Sequence, residues 1–375
     1  MASARPPGRI VLALQGGGAL GAYQAGVYQA LHESGFEPDW VVGTSIGAIN
    51  GAIIAGNELE HRLERLASFW DSIRSPDLSC MGTTTEVEDL WSYVATLMQG
   101  VTGLFVPNPS AWWSLQLPLG AERAAFYTTT PLRQTLGSLI DPERLNRRAP
   151  RLTVGAVNAR TGEMRYFDSG RNPLHAEHVL ASAALPPGFP AIRVDGEPYW
   201  DGGLYSNTPI EVVLDDTPRR SSTIFSVHLW SPSGSEPDSI LQVLERQKEI
   251  QYSSRVASHV ARQQQIHRLR HVISELATRI PEPERNSVEV QELVACGCRT
   301  TMHIVQLLAS QSMNESYARD VNFTSKGIRS RWESGYADAR KAIAEKPWNP
   351  EGDPLEGIFV HEYGSGGAVS KVETQ

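Results

Sequence analysis

Apolar and polar positions alternate along the chain in blocks that predict strands followed by helices. "IVLAL" (residues 10–14) is a short aliphatic run stopped by Gln15 and a glycine cluster, and it predicts a buried strand. Residues 20–34 then predict a helix, and "DWVVGTS" a second strand at roughly 39–43. "IGAINGAIIAG" predicts a helix apolar nearly all round, and therefore buried, while "HRLERLASFWDSI" predicts an amphipathic one. Strand, helix, strand, helix within 75 residues implies an α/β sheet with parallel neighbours.

Residues 76–125 are less regular, with Pro76, Pro107, Pro109, Pro118 and the apolar stretch "GLFVPNPSAWWSLQL". Alternation resumes with "RLTVGAVNA" and "EMRYFDS" as paired strands, then the helix "LHAEHVLASAAL", which must end near Pro186 and Pro187. "EPYWDGGLYSNTPIEVVL" predicts a strand, a glycine turn and a helix with Thr208 as N-cap and Pro209 in its first turn. "STIFSVHLWSP" is a further strand. "SPSGSEPDS" (231–239) is the best boundary by composition. Helical patterning runs from there to about 280, followed by a strand "MHIVQLLA" and a helix near 325–345.

Composition narrows the class. The chain has 375 residues, 41% hydrophobic and 20% charged, which suits a globular protein with a sizeable core. Its net charge of −8 argues against a nucleic-acid partner. Three cysteines (Cys80, Cys296, Cys298) make no disulfide framework, and Cys296-Gly297-Cys298 is too tight and isolated for a zinc site, so no metal is expected. Arg5 and Arg9 before "IVLAL" faintly echo a signal peptide, but glutamine and three glycines follow after five apolar residues. With no run near the ~18 residues of a membrane span, the expectation is a cytoplasmic protein, free to meet a membrane surface peripherally.

The chemistry-bearing stretches are glycine-rich. Gly16, Gly18 and Gly21 fit G-x-G-x-x-G, a loop able to present N–H groups to an anion, either a nucleotide phosphate or a developing oxyanion. Gly43-Thr44-Ser45-Ile46-Gly47 is a G-x-S-x-G between a predicted strand and a predicted helix, the setting of a nucleophile elbow. A serine hydroxyl needs a base. None of the ten histidines lies in a glycine-flanked catalytic loop; His228 could complete a Ser45, Asp201, His228 order but sits inside an apolar strand. Asp201 in "YWDGG" is the better candidate, delivered by a strand to a turn at Gly202 and Gly203. A carboxylate serves as such a base when burial raises its pKa.

Taken together, "GGGALG", "GTSIG" and "DGG" in that order, with "ASAALPPGFPAI" (181–192) ahead of the aspartate, resemble the patatin-like family of lipid acyl hydrolases over residues 10–215. The resemblance implies a three-layer α/β/α fold with a mostly parallel central sheet. It implies Ser45 as nucleophile, Asp201 as proton acceptor, and an oxyanion hole from Gly16, Gly17 and Gly18, with no cofactor. Gln15 departs from the aspartate that many plant members carry there. "SRWESGYADARKAI" is similar to a C-terminal extension found in a bacterial subset of the family. The expected organisation is a tail at 1–9, a catalytic domain at 10–215 with its last strand reaching about 230, a mainly helical extension at 236–345, and a loose tail at 346–375.

Two other function classes compete with this reading. A dinucleotide-binding domain needs an acidic residue about 20 positions past the glycines, at the end of the second strand. Counting from Gly21 reaches Val41–Gly43, and Asp39 lies at the wrong end of the strand. A non-catalytic member of the fold, acting as an interaction module, is opposed by the presence of both Ser45 and Asp201. For an enzyme, a lipid or other acyl-ester substrate is expected, with thioesters and polyesters open and the oligomeric state unspecified. Residues 100–118 are either a candidate lid or ordinary core beneath a long loop, the latter favoured. Arg255, His259, Arg262 and Arg270 are either a candidate lipid-phosphate face or, as favoured, a solvated face over a domain contact, beside an apolar stripe of Leu269, Val272, Ile273 and Leu276.

Overall fold

A computed structural model of the protein describes residues 5–75, 93–112, 116, 118–253, 256–309, 319–348, 353 and 355–364. Cys80, Arg255 and part of the candidate lid lie outside the described residues.

The first half follows the predicted alternation. β1 (Arg9–Leu14) leads through the glycine loop to α1 (Ala22–Glu33). β2 (Trp40–Gly43) leads to α2 (Ile46–Ala55) and then α3 (Arg62–Ser72). β3 (Arg151–Asn158) and β4 (Met164–Asp168) form the antiparallel pair, followed by α4 (Ala176–Ser182), β5 (Ile192–Val194), β6 (Glu197–Asp201) and β7 (Ser222–His228). Side chains of β1 alternate between two cores: Ile10, Leu12 and Leu14 face one, Val11 and Ala13 the other. Both faces are therefore covered, as a parallel sheet requires. The result is the expected α/β/α arrangement. All ten residues of α2 are buried. Its one polar side chain, Asn50, is satisfied there: Nδ2 donates to the Gly21 carbonyl (3.1 Å) and Gln24 (2.9 Å), and Oδ1 accepts the Trp70 indole N–H (3.1 Å).

The second half is largely helical, as expected, and it also adds strands to the sheet. α5 (Ile240–Ser253) and α6 (Val256–Arg279) return the chain to the sheet, where β8 (Met302–Leu308) pairs parallel with β7 and β9 (Ile358–Tyr363) pairs parallel with β8. The sheet order is β9-β8-β7-β1-β2-β3-β6-β5, with β4 on the other edge of β3. The composition break at 231–239 therefore does not end the sheet, and the tail at 346–375 contains a strand. The physical reason is the open edge that β7 would otherwise present. "MHIVQLL" can bury both its faces only by covering that edge.

α7 (Ser325–Glu345) lies along α1. Two glycines set how close: a Cβ on Gly26 would lie 1.9 Å from the Trp332 carbonyl oxygen, and one on Gly335 2.0 Å from that of Tyr23. Around this backbone contact, Tyr23 donates to Asp338 (2.8 Å) and Tyr336 to Glu33 (2.7 Å). α6 turns Val260, Gln263, His267, His271 and Ala277 inward and leaves Leu269 and Leu276 exposed, while His259 and Arg270 are half-buried. Arg262 is exposed as well, so of the expected arginine face and apolar stripe Arg262, Leu269 and Leu276 reach the surface. In the candidate lid, Leu104 and Phe105 are buried, and Phe105 meets Tyr127 and Phe189 edge to face at 4.9 and 5.2 Å. That part of the stretch is core.

Candidate active site

The register of β3 brings Ser45 and Asp201 together. β2 pairs with the start of β3, Gly43 opposite Val154, and β6 pairs with its end, Asp201 opposite Ala156. β4 occupies the other edge along residues 153–157, so β2 and β6 must share one edge and run toward each other. The residues just past the end of β2 therefore face the end of β6.

Ser45 itself has φ 56° and ψ −125°, a conformation that a side chain adopts only under strain. Its N–H is held by the Ser182 carbonyl (3.1 Å) and hydroxyl (3.2 Å) at the end of α4. The sharp turn works because Gly43 and Gly47 let backbones touch: a Cβ on either would lie 2.3 Å from a carbonyl oxygen, of Gly47 and Leu14 respectively. Gly21 gives the same clearance to Ile46, and Gly202 to the Gly155 carbonyl.

Asp201 is 1% exposed. Its Oδ1 accepts the Gly203 N–H (2.7 Å). Oδ2 is buried and has no formed hydrogen bond among the described residues. Burial pushes the carboxyl up to about 7, against the opposing pull of the neighbouring Ser45 hydroxyl and the Gly203 N–H. Ser45 thus stands near the carboxyl without a complete hydrogen bond to it, a common condition of unliganded sites.

The glycine loop lies directly against the elbow. A Cβ on Gly16 would be 3.0 Å from that of Ser45. Its N–H donates to the Asn207 carbonyl (3.1 Å), while its own carbonyl accepts Asn207 Nδ2 (3.0 Å). Gly16 therefore differs from expectation, since its N–H is already engaged. The N–H groups of Gly17 and Gly18, and of Ile46 at the head of α2, meet no acceptor among the described residues. Gly18 has φ +54°.

Asn207 and Ser182 were missed by sequence reasoning. Asn207 follows the Asp-Gly-Gly turn by a few residues, and its position in "SNTP" was the available signal. Thr208 is not a helix cap: the short helix Glu211–Leu214 starts after Ile210, and the Thr208 hydroxyl accepts Gln15 Nε2 (2.7 Å). His228 is buried with its Nε2 2.9 Å from the Ser226 hydroxyl, and burial lowers its pKa to about 4. No hydrogen bond joins it to Ser45 or Asp201 among the described residues. Those residues also contain no group of three or more His, Cys, Asp or Glu side chains arranged to hold a metal.

The sequence model described as Patatin-like phospholipase matches residues 12–214, and the chain belongs to that family. A second, described as Patatin phospholipase, matches residues 250–355. A Caenorhabditis elegans patatin-like phospholipase domain-containing protein is 27% identical over 206 residues, which is 54% of this chain and 12% of that protein. An Aspergillus terreus lysophospholipase, nte1, is 57% identical over 44 residues, 12% of this chain and 3% of that protein. The chain thus spans a small part of the length of these relatives. Among solved structures, VipD from Legionella pneumophila overlaps at TM-score 0.38 and 15% identity, covering 91% of this chain and 67% of VipD. ExoU from Pseudomonas aeruginosa, solved with SpcU, overlaps at TM-score 0.26 and 14% identity, covering 94% of this chain and 76% of the other. Scores this low mark loose overlaps.

Proposed function

We propose that the protein is a serine acyl hydrolase that cleaves acyl esters of lipids, in the manner of a phospholipase A or lysophospholipase. The observation that carries this is the strained Ser45 elbow facing a buried Asp201 whose pKa is raised to about 7. Family membership, and the words phospholipase and lysophospholipase in the relatives' names, support a lipid substrate.

Ser45 Oγ attacks the acyl carbonyl carbon while its proton passes to Asp201 Oδ2, the carboxylate oxygen without another partner among the described residues. The carbonyl oxygen becomes an oxyanion and is met by the free N–H groups of Gly17 and Gly18, with Ile46 N–H at the positive end of α2 beside them. The ester C–O bond breaks, and the alcohol leaves with the proton from Asp201. Water then attacks the acyl-enzyme, Asp201 takes the water's proton, and return of a proton to Oγ releases the fatty acid. A group titrating near 7 is matched to both directions of this transfer. Among the described residues no helix is long and apolar enough to cross a membrane.

The test is a panel of lysophospholipid, phospholipid, triacylglycerol, acyl thioester and p-nitrophenyl ester substrates with wild type and Ser45→Ala, together with mapping of a fluorophosphonate label. Ester cleavage that depends on Ser45, with the label on Ser45, is expected. Activity surviving in Ser45→Ala, or a label elsewhere, refutes the assignment.

A further inference from the structure

Gln15 stands immediately before the glycine loop and has no exposed surface. Its N–H donates to the Val227 carbonyl (3.3 Å), and its carbonyl accepts Gln24 Nε2 (2.6 Å). The side-chain Oε1 accepts two successive backbone N–H groups, of Leu229 and of Trp230 (3.0 Å). Its Nε2 donates to the Thr208 hydroxyl (2.7 Å) and to the Tyr252 carbonyl (3.2 Å). A carboxylate of similar size could accept from the two N–H groups but could not donate to a carbonyl. The need for a donor arises because α5 presents the Tyr252 carbonyl at this point.

Other contacts tie the same helix to the same loop. Trp230 donates its indole N–H to the Gly16 carbonyl (2.8 Å) and packs its ring on Tyr252, centroids 5.3 Å apart. Behind the loop, a Cβ on Gly18 would lie 2.3 Å from the Asp320 carbonyl oxygen. The Asp320 carboxylate is held by Lys248 of α5 (2.9 Å), and Arg319 beside it reaches Glu245 and Glu249, both also on α5 (2.5 Å each). Helix α5 thus grips the loop directly at Gln15 and, through residues 319–320, at Gly18. The Tyr252 phenol feels the Asp201 charge, which helps burial raise it to about 12.

We infer that Gln15 and Trp230 are positioning residues through which helix α5 sets the direction of the Gly17 and Gly18 N–H groups, making the region after residue 230 a working part of the catalytic centre. This rests on the acyl-transfer reading of Ser45. Neither residue touches the reacting atoms. Their effect is on where the oxyanion is met, and therefore on the transition state more than on the bound ester.

The experiment compares the full chain with Gln15→Met, which keeps length and neutrality but removes the side-chain donors and the amide oxygen, and Trp230→Phe, which removes the bond to Gly16 and trims the ring that packs on Tyr252. Three quantities are measured: kcat and KM on a p-nitrophenyl ester, affinity for an alkyl trifluoromethyl ketone that forms a tetrahedral adduct on a serine, and amide exchange of the peptide covering residues 15–20. In Gln15→Met, kcat and ketone affinity should each fall about 10²-fold, the scale of losing one oxyanion donor. KM should stay within about threefold, and the pH dependence should keep its apparent pKa. Trp230→Phe should lose about tenfold in the same pattern, and the loop should exchange faster in both. A merely structural role would lower the active fraction and the Tm without changing ketone affinity per active site. Wild-type ketone affinity and loop exchange in either folded variant overturn the inference. If wild type turns over no ester through Ser45, the acyl-hydrolase reading falls instead, and loop exchange alone decides whether α5 holds the loop. Should Gln15→Met not fold, Trp230→Phe decides.

Discussion

Ser45 and Asp201, the proposed reacting pair, meet the glycine loop where Gly16 lies against Ser45, yet pair and loop are built in different ways. Ser45 and Asp201 are positioned by regular elements brought together from distant parts of the chain: two strand ends converging on one edge of β3, a strained turn, and the end of α4. The loop is positioned instead by separate hydrogen bonds and close contacts from Asn207, Thr208, Leu229, Trp230, Tyr252 and Asp320. The pair concentrates its cost in one strained residue and one buried carboxyl. The loop distributes its cost over many ordinary hydrogen bonds. Damage to the pair should therefore remove activity outright, whereas damage to the loop's supports should erode it in steps.

The sharpest test is Ser45→Ala, which should lower kcat/KM on p-nitrophenyl esters by at least about 10⁴-fold, since it removes the proposed acyl acceptor. Asp201→Asn comes next, with a loss of about 10³-fold or more, measured in the same assay. It also has a stability signature. The carboxyl titrates near 3.8 unfolded and near 7 folded. Between those values the folded state keeps a proton that the unfolded state has released, so stability falls as pH rises through 7. Asp201→Asn removes that slope, and its stability relative to wild type should improve by about 2–3 kcal/mol between pH 5 and pH 8, measured by denaturant melts. In wild type, kcat/KM should rise tenfold per pH unit below about 7 and level off above it. A flat profile would remove Asp201 as the base.

Contacts away from the pair come lower on the scale. Gly335→Ala places a methyl group where the Tyr23 carbonyl stands, so α7 must move off α1 at a cost of about 3 kcal/mol, read as a lowered unfolding midpoint. Asn207→Ala removes one of two donors to the Gly16 carbonyl and should cost about 1 kcal/mol of stability and about tenfold in kcat. If Asn207→Ala were as damaging as Ser45→Ala, the distinction between pair and loop would collapse.

Much of this was legible in the residues. The elbow was readable because G-x-S-x-G lay between an apolar run and an apolar helix, and both elements formed where expected. The helix over 325–345 and the strand at 302–308 were likewise written in local pattern. What pattern could not show was partnership. Strand β8 was visible, but nothing local says that it joins the sheet begun by β1 through β7. Asn207 and Gln15 are polar residues whose roles depend on neighbours roughly 200 positions away, and no periodicity encodes that. Thr208 illustrates the competition directly: its local signal as a helix cap lost to a buried amide that needed an acceptor.

The sequence by itself determined the order of strands and helices, the elbow serine, the aspartate turn and the glycine loop, because each depends on short-range sterics and on side-chain period. Only the tertiary structure decided which loop N–H groups remain free, how far the aspartate's pKa rises, and that the C-terminal region closes the sheet and holds the loop. Those properties come from burial and from hydrogen-bond competition among distant segments, which exist only once the chain has packed.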